Sequence, residues 1–378
     1  MRRFGWRGAL GLVLSAALLV WALWDVNFHH VAQALARSNL GLLLLSAVVA
    51  TLAVPLRAMR WQVILSPIVR RPPFGPLWRS TAIGVMVNNV VPARAGEIAR
   101  AFAVTRELPA IPFSASLASL AVDRVFDAVA ILALMLLATL DPAFPANESI
   151  GRWAGFGIVA VAGLLAALYV VVFFPRLLVD LVGALARRAV PRLESRVRAM
   201  LLSFASGLGV LRHPGRFAAV LAWTVLHWLV NALAFWIGFV ALDVDVPASA
   251  ALFLQGVIGF GVAVPSAPGF LGTFEASAKI GLAVYGVPAE TAVTWALGYH
   301  ILSFIPITLI GAWYFSRLRL HFSDLGSAAP GEAAADGPRD GAGSGARDAA
   351  GGGEPADAPP RDDRARSAGA TGPAGRDA

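Results

Sequence analysis

The stretch TAIGVMVNNVVPARAGEIARA, residues 81–101, is apolar for its first half and then meets Asn88, Asn89, Pro92 and Gly96, with Arg94, Glu97 and Arg100 among them. Its length suits a membrane-crossing helix of about 20 residues. Its content does not, because proline removes a helix hydrogen bond and charges are costly in hydrocarbon. A second stretch, GVIGFGVAVPSAPGFLGTFEASA at 256–278, repeats the pattern. Each holds an Ile-Gly pair, an apolar run, a proline, a glycine and an acid, then small residues. Pro92 and Gly96 share their spacing with Pro268 and Gly272. Paired apolar segments interrupted by glycine and proline point to the midplane site of a transporter built from inverted repeats. The expected structural breaks are Pro92, Gly96, Pro265, Pro268, Gly269 and Gly272.

The rest of the chain fits a membrane setting. Of its 378 residues 57% are hydrophobic and 14% charged, where a soluble chain runs near 25% charged. The expected fold is an all-α polytopic membrane protein. About six full spans read as 8–24, 40–59, 114–140, 153–174, 217–241 and 290–315, with re-entrant regions at 78–110 and 249–287 between them. Alternating ten-residue strands of an outer-membrane barrel are absent from the sequence. With both interrupted regions returning to their side of entry, the arginine-rich stretches 57–79 and 176–216 fall on the side of Arg2, Arg3 and Arg7. The opposing loops, 25–38, 141–152 and 243–248, hold few arginines. The positive-inside rule then puts the N-terminus and the C-terminal tail in the cytoplasm.

A net charge of +8 raises nucleic acid as a partner, but the arginines sit between apolar runs rather than in one basic face. No nucleic-acid binding is expected. Residues 176–216 read as amphipathic helices on the cytoplasmic leaflet. From about 325 to 378 the chain lacks the large apolar residues needed to offset ordering entropy, so a disordered tail is expected after a membrane domain of 1–320. The absence of cysteine excludes a disulfide framework, a thiolate metal site and a thiol nucleophile. No metal or cofactor is expected.

Charges inside a membrane domain are tolerated mainly where they are paired or face a cavity. A helix starting at Pro92 would bring Arg94, Glu97 and Arg100 near one face. They would serve either as an ion-pair line at the interface or as an anion site in which Glu97 positions an arginine toward a lipid phosphate. Ser116, Ser119, Asp123 and Asp127 form a polar stripe on an apolar helix, with Arg124 beside it. That set reads equally as a clamp between helices or as part of the site. Glu275 and Lys279 are spaced for an i,i+4 ion pair. Thr224, His227 and Asn231 form a smaller stripe, and His300 reads as a hydrogen-bonded helix contact.

The ordered trio NNVVPARAGEIARAF, SLAVDRVFDA and VPSAPGFLGTFEA resembles motifs of the lysylphosphatidylglycerol synthase transmembrane-domain family, the flippase-like membrane region. The likeness spans residues 1 to about 320. Asn88, Pro92, Arg94, Gly96, Glu97 and Arg100 match its first motif, Asp123, Arg124 and Asp127 its second, and Pro268, Gly269, Gly272 and Glu275 its third. The resemblance implies a multi-pass bacterial inner-membrane protein that moves lipids between leaflets. The partners it implies are an anionic phospholipid or polyprenyl phosphate, with a lipid synthase or glycosyltransferase as an associated protein. The family's bifunctional members carry an aminoacyl-transferase domain after the membrane part; here only the polar tail follows, so lysyl transfer is not expected. The expected role is translocation without catalysis. A membrane-embedded transferase using Asp123 and Asp127, or a scaffold for lipid or glycan assembly, are the alternatives.

Overall fold

The computed structural model of the chain describes residues 6–24, 26–91, 95–145, 213–263 and 266–322, with a few isolated positions between 159 and 187. Ten α-helices carry these residues, and no strand occurs among them. They are α1 (Trp6–Leu23), α2 (Phe28–Arg37), α3 (Leu40–Leu65), α4 (Phe74–Val90), α5 (Gly96–Glu107), α6 (Phe113–Ala138), α7 (Pro214–Ala241), α8 (Ser249–Gly261), α9 (Thr273–Ala283) and α10 (Ala289–Arg317). A single 3-10 turn, Pro268–Phe270, lies between α8 and α9.

Local chemistry sets several of the starts. Asn39 caps α3 by accepting from the Leu42 N–H at 3.1 Å, and Asn27 caps α2 through the His29 N–H at 3.0 Å. Pro73, Pro112 and Pro288 stand in extended backbone just before α4, α6 and α10. Three of the described helices, α3, α7 and α10, are long and apolar enough to cross a membrane. α6 matches α3 at 26 residues, about 39 Å at 1.5 Å per residue, but carries Asp123, Arg124 and Asp127.

α3 and α7 form the most extensive helix pair. Small and polar residues let them approach: the Ser46 hydroxyl donates to the Ala234 carbonyl at 2.7 Å, and His227 Nδ1 lies 2.9 Å from the Ala53 carbonyl. Contacts at the helix ends place the two interrupted segments. Arg79 at the start of α4 pairs with Glu107 at the end of α5, and Trp78 Nε1 donates to Tyr314 near the end of α10 at 3.3 Å. Both ends of α4–α5 therefore share one end of the bundle. At the other end, the Asn39 N–H meets the Ala241 carbonyl at 2.9 Å, and Phe144, after α6, packs edge-on against Phe253 and Tyr285. Those rings belong to α8 and the turn after α9. The breaks meet between these ends, where a Cβ placed on Gly269 would lie 3.4 Å from the Asn89 carbonyl oxygen.

Three sequence expectations change. Residues 25–38, expected as a loop, contain α2. The expected loop 57–79 begins inside α3, which runs on to Leu65 with Arg60 and Trp61 fully buried; carboxylates on α6 keep that arginine inside. The helix expected from Pro92 is described only from Gly96. Pro92, Arg94 and Pro265 lie outside the described residues, as do the tail from 325 and, isolated positions apart, the expected span 153–174 and loop 176–216.

Candidate functional site

Asp123 and Asp127 are four residues apart on α6 and so share a face. Both are buried, and the cations that meet them come from α3, α5 and α6 itself. Arg60 of α3 lies at the centre. Its Nη2 is 2.5 Å from Asp123 Oδ1, and its Nη1 donates to Asp127 Oδ1 at 2.7 Å and to Thr224 Oγ1 of α7 at 3.2 Å. Trp228 of α7 also donates to Asp127, at 3.0 Å. Arg100 of α5 donates to Asp123 Oδ2 at 3.2 Å and stacks 4.0 Å over the Trp61 ring, whose Nε1 donates to Ser119 at 2.8 Å. Arg57 approaches Asp123 at 3.8 Å. Arg124 bridges outward, 2.6 Å from Glu97 and 3.3 Å from Asp127.

Among the described residues, four guanidinium groups thus face three carboxylates, leaving one positive charge in excess. The excess lies in unpartnered donors. Arg57 Nε and Arg100 Nε and Nη2 are buried without a hydrogen-bond acceptor, as Glu97 Oε2 is without a donor. Those three residues line one small cavity with Thr81, Asn88 and Gly96. Its volume of about 10 Å³ has room for about one water. A larger groove of about 560 Å³, lined by residues such as Leu44, Val48, Leu52 and Ile305, is apolar and holds none of these charges.

A second polar group is built around the other break. Glu275, fully buried, accepts the Gly272 N–H at 2.7 Å and lies 2.7 Å from His300 Nδ1. The other ring nitrogen of His300 lies 2.8 Å from the Gly269 carbonyl. The expected Glu275–Lys279 ion pair is not formed. Histidine takes the carboxylate, while Lys279 turns to the end of α1, with Nζ 3.3 Å from the Trp21 carbonyl and 4.8 Å over its ring. A cation at a helix C-terminus complements the carbonyls there.

Residues 8–311, which take in both groups, match the family described as the lysylphosphatidylglycerol synthase TM region. The chain belongs to this family. It is 24% identical over 332 residues to a UPF0104 membrane protein of Methanothermobacter thermautotrophicus, covering 84% of this chain and 93% of that one. A further UPF0104 membrane protein of that organism is 25% identical over 322 residues, 79% of this chain and 90% of the other. Glycosyltransferase AglD of Haloferax volcanii is 34% identical over 124 residues, which are 33% of this chain and only 20% of AglD. No solved structure matches.

In this lysylphosphatidylglycerol synthase TM-region protein, the expected site residues divide into groups. Glu97, Arg100, Asp123, Arg124 and Asp127 come together, though with cross-pairings. Glu97 pairs with Arg124, and Arg100 with Asp123, so the expected line along one helix is replaced by bridges between helices. Asn88 lines the cavity while its Oδ1 accepts the Gly96 N–H at 2.8 Å, and Asn89 donates to Thr308 of α10 at 2.7 Å. Glu275 belongs to the second group and Lys279 to the α1 contact. The sequence reading missed Arg57, Arg60, Trp61 and Trp228. One signal was present: two arginines at i,i+3 followed by tryptophan in LRAMRW (56–61), continuous with an apolar run and leading into QVIL without a break.

Proposed function

We propose that the protein is a translocator of anionic lipids, binding a phosphate-bearing headgroup at the Arg57–Arg100 cavity while the lipid chains stay in the bilayer. The observation that carries this reading is the buried excess of guanidinium over carboxylate, with unpartnered donors in the walls of a polar cavity. Arginine is the side chain best suited to paired recognition of phosphate oxygens. Moving a charged headgroup through hydrocarbon is costly, and a lined polar path lowers that cost. In the conformation described the cavity is water-sized, so headgroup entry requires α5 to part from α3 and α6. Membership of the lysylphosphatidylglycerol synthase TM-region family supports a lipid substrate, and a polyprenyl-phosphate-linked substrate is the second candidate of the same chemistry.

In the same reading, α4–α5 and α8–α9 are re-entrant hairpins entering from opposite membrane faces, with the N-terminus and the far end of α10 in the cytoplasm. The shared bundle end at each hairpin's base supports this.

Reconstitution in liposomes with fluorescent phosphatidylglycerol, read by dithionite quenching, tests the function. The wild type should expose inner-leaflet label without altering the lipid. Arg57→Gln and Arg100→Gln should each slow exposure about tenfold or more, the loss of one hydrogen bond to a charged group. Arg79→Gln, at the hairpin base, should leave the rate unchanged. Wild-type rates in both cavity variants, or a chemically altered lipid, would overturn the reading, the latter in favour of a transferase.

A further inference from the structure

His300 meets an acceptor at each ring nitrogen: the Gly269 carbonyl 2.8 Å from Nε2 and a carboxylate oxygen of Glu275 2.7 Å from Nδ1. A carbonyl oxygen can only accept, so Nε2 carries a proton. A neutral imidazole has only one N–H, leaving Nδ1 with a bare lone pair. Two lone pairs, one of them on an anion, do not rest 2.7 Å apart. A second proton must lie between them, on Nδ1 as an imidazolium–carboxylate pair or on Oε1 as a carboxylic acid donating to neutral histidine. The other carboxylate oxygen is already occupied by the Gly272 N–H at 2.7 Å. The geometry therefore counts one proton beyond those of an ionised glutamate and a neutral histidine.

We propose that Glu275 and His300 form a proton-binding site whose occupancy holds the second interrupted segment against α10. The pair joins three parts of the molecule: the turn at Gly269, the start of α9 at Gly272, and α10. Loss of the shared proton leaves one of the two histidine contacts without a donor. If the remaining proton stays on Nε2, the carboxylate must part from Nδ1; if it moves to Nδ1, the Gly269 carbonyl is released. Either way a latch on the turn opens, and that turn packs on the Asn89 carbonyl at the break of the first segment. A proton would thus be linked to contact between the two breaks.

The surroundings contain no rival for this proton among the described residues. On α10, Tyr299 is the adjacent titratable group, and its ring is stacked with those of Phe274 and Trp295. On α9, Lys279 is turned to the carbonyls of α1, and from α1 itself Ser15 accepts the Ala267 N–H at 2.6 Å. α4 presents the amide of Asn89, bonded to Thr308. The rings of Phe274 and Phe304, with centroids 4.5 Å and 6.2 Å from the imidazole, form the apolar walls.

The chain has no native cysteine, so a single Ala267→Cys reports the turn cleanly. In proteoliposomes its reaction rate with a small thiol reagent, divided by that of a free-thiol control, should rise about tenfold as pH is raised from about 6 to about 10. Glu275→Gln supplies an amide N–H to Nδ1 at every pH, so in that background the ratio should stay at the low-pH value. His300→Ala should give the high ratio throughout. Infrared difference spectra between the two pH values provide a second readout: an imidazolium or carboxylic-acid band lost in the wild type and absent from Glu275→Gln. A pH-independent wild type, or an unchanged transition in Glu275→Gln, would overturn the proposal. Neither readout involves lipid movement, so this proposal and the transport reading fail separately.

Discussion

The two interrupted segments solve the same backbone problem in opposite ways. In each, a glycine begins or caps the helix after the break, and its N–H is taken by a side-chain oxygen. For Gly96 the acceptor is Asn88, eight residues earlier on the preceding helix, at 2.8 Å; for Gly272 it is Glu275, three residues later on the following helix, at 2.7 Å. Both glycines sit where a side chain would collide with backbone: a Cβ at Gly96 would lie 2.0 Å from the Gly84 carbonyl, and one at Gly272 2.2 Å from that of Ser15. The difference is where the acid goes. In the second segment the acid caps its own helix and shares a histidine. In the first, an amide does the capping, which frees Glu97 to pair with Arg124 and leaves the arginines to α6. The first segment is therefore tied into a charged network and the second into a local latch, and shared glycine spacing alone does not imply shared chemistry.

On the proposed topology, the two segments differ first in the membrane face from which each enters. If both segments are re-entrant, single cysteines at Arg70 and Ala110 label from one face of the membrane and those at Asp245 and Pro288 from the other. The effect is all or none, read with an impermeant thiol reagent on intact and permeabilised cells. An Ala110 site reached from the face opposite Arg70 would make α4–α5 a crossing, and the inverted-repeat comparison would end there.

The next effect is energetic. Removing one partner of a buried ion pair costs about 3–5 kcal/mol because the other charge stays behind. Arg60 holds both aspartates and is fully buried, so Arg60→Ala should fall in that range in denaturant unfolding from detergent micelles. Arg124→Ala, with the Arg124 side chain 44% exposed, should cost clearly less. Equal losses would mean that the network does not centre on Arg60.

Much of this arrangement was legible in the residues. The polar stripe of Asp123 and Asp127, the interrupted segments and their glycines, and the pairing of Glu97, Arg100 and Glu275 with polar partners all follow from charges that hydrocarbon would not tolerate unpaired. The identities of those partners were not legible. A buried arginine and a positive-inside arginine look alike at the end of an apolar run, so Arg57 and Arg60 read as a cytoplasmic flank. Only the packing of α6 against α3 supplies the carboxylates that distinguish them. The i,i+4 rule gave Glu275 to Lys279, but such a pair on a helix is worth only a few tenths of a kcal/mol. A buried histidine 25 residues away outweighs it, and no local pattern announces that partner.

The finest test compares the two glycines themselves. Gly96→Ala and Gly272→Ala each force a Cβ into backbone, and such overpacking costs about 1–3 kcal/mol where neighbours must shift. Gly272 has a further constraint. Its φ of +85° lies in the left-handed region, where an L-residue pays about 1–2 kcal/mol more. No positive φ is found at Gly96, whose constraint is contact alone. Gly272→Ala should therefore be the more destabilising by about that margin in the same unfolding assay. A larger loss at Gly96 would place the tighter constraint in the α4–α5 crossing, where Gly84 and Gly96 touch. The charged network, not the latch, would then set the geometry at the breaks.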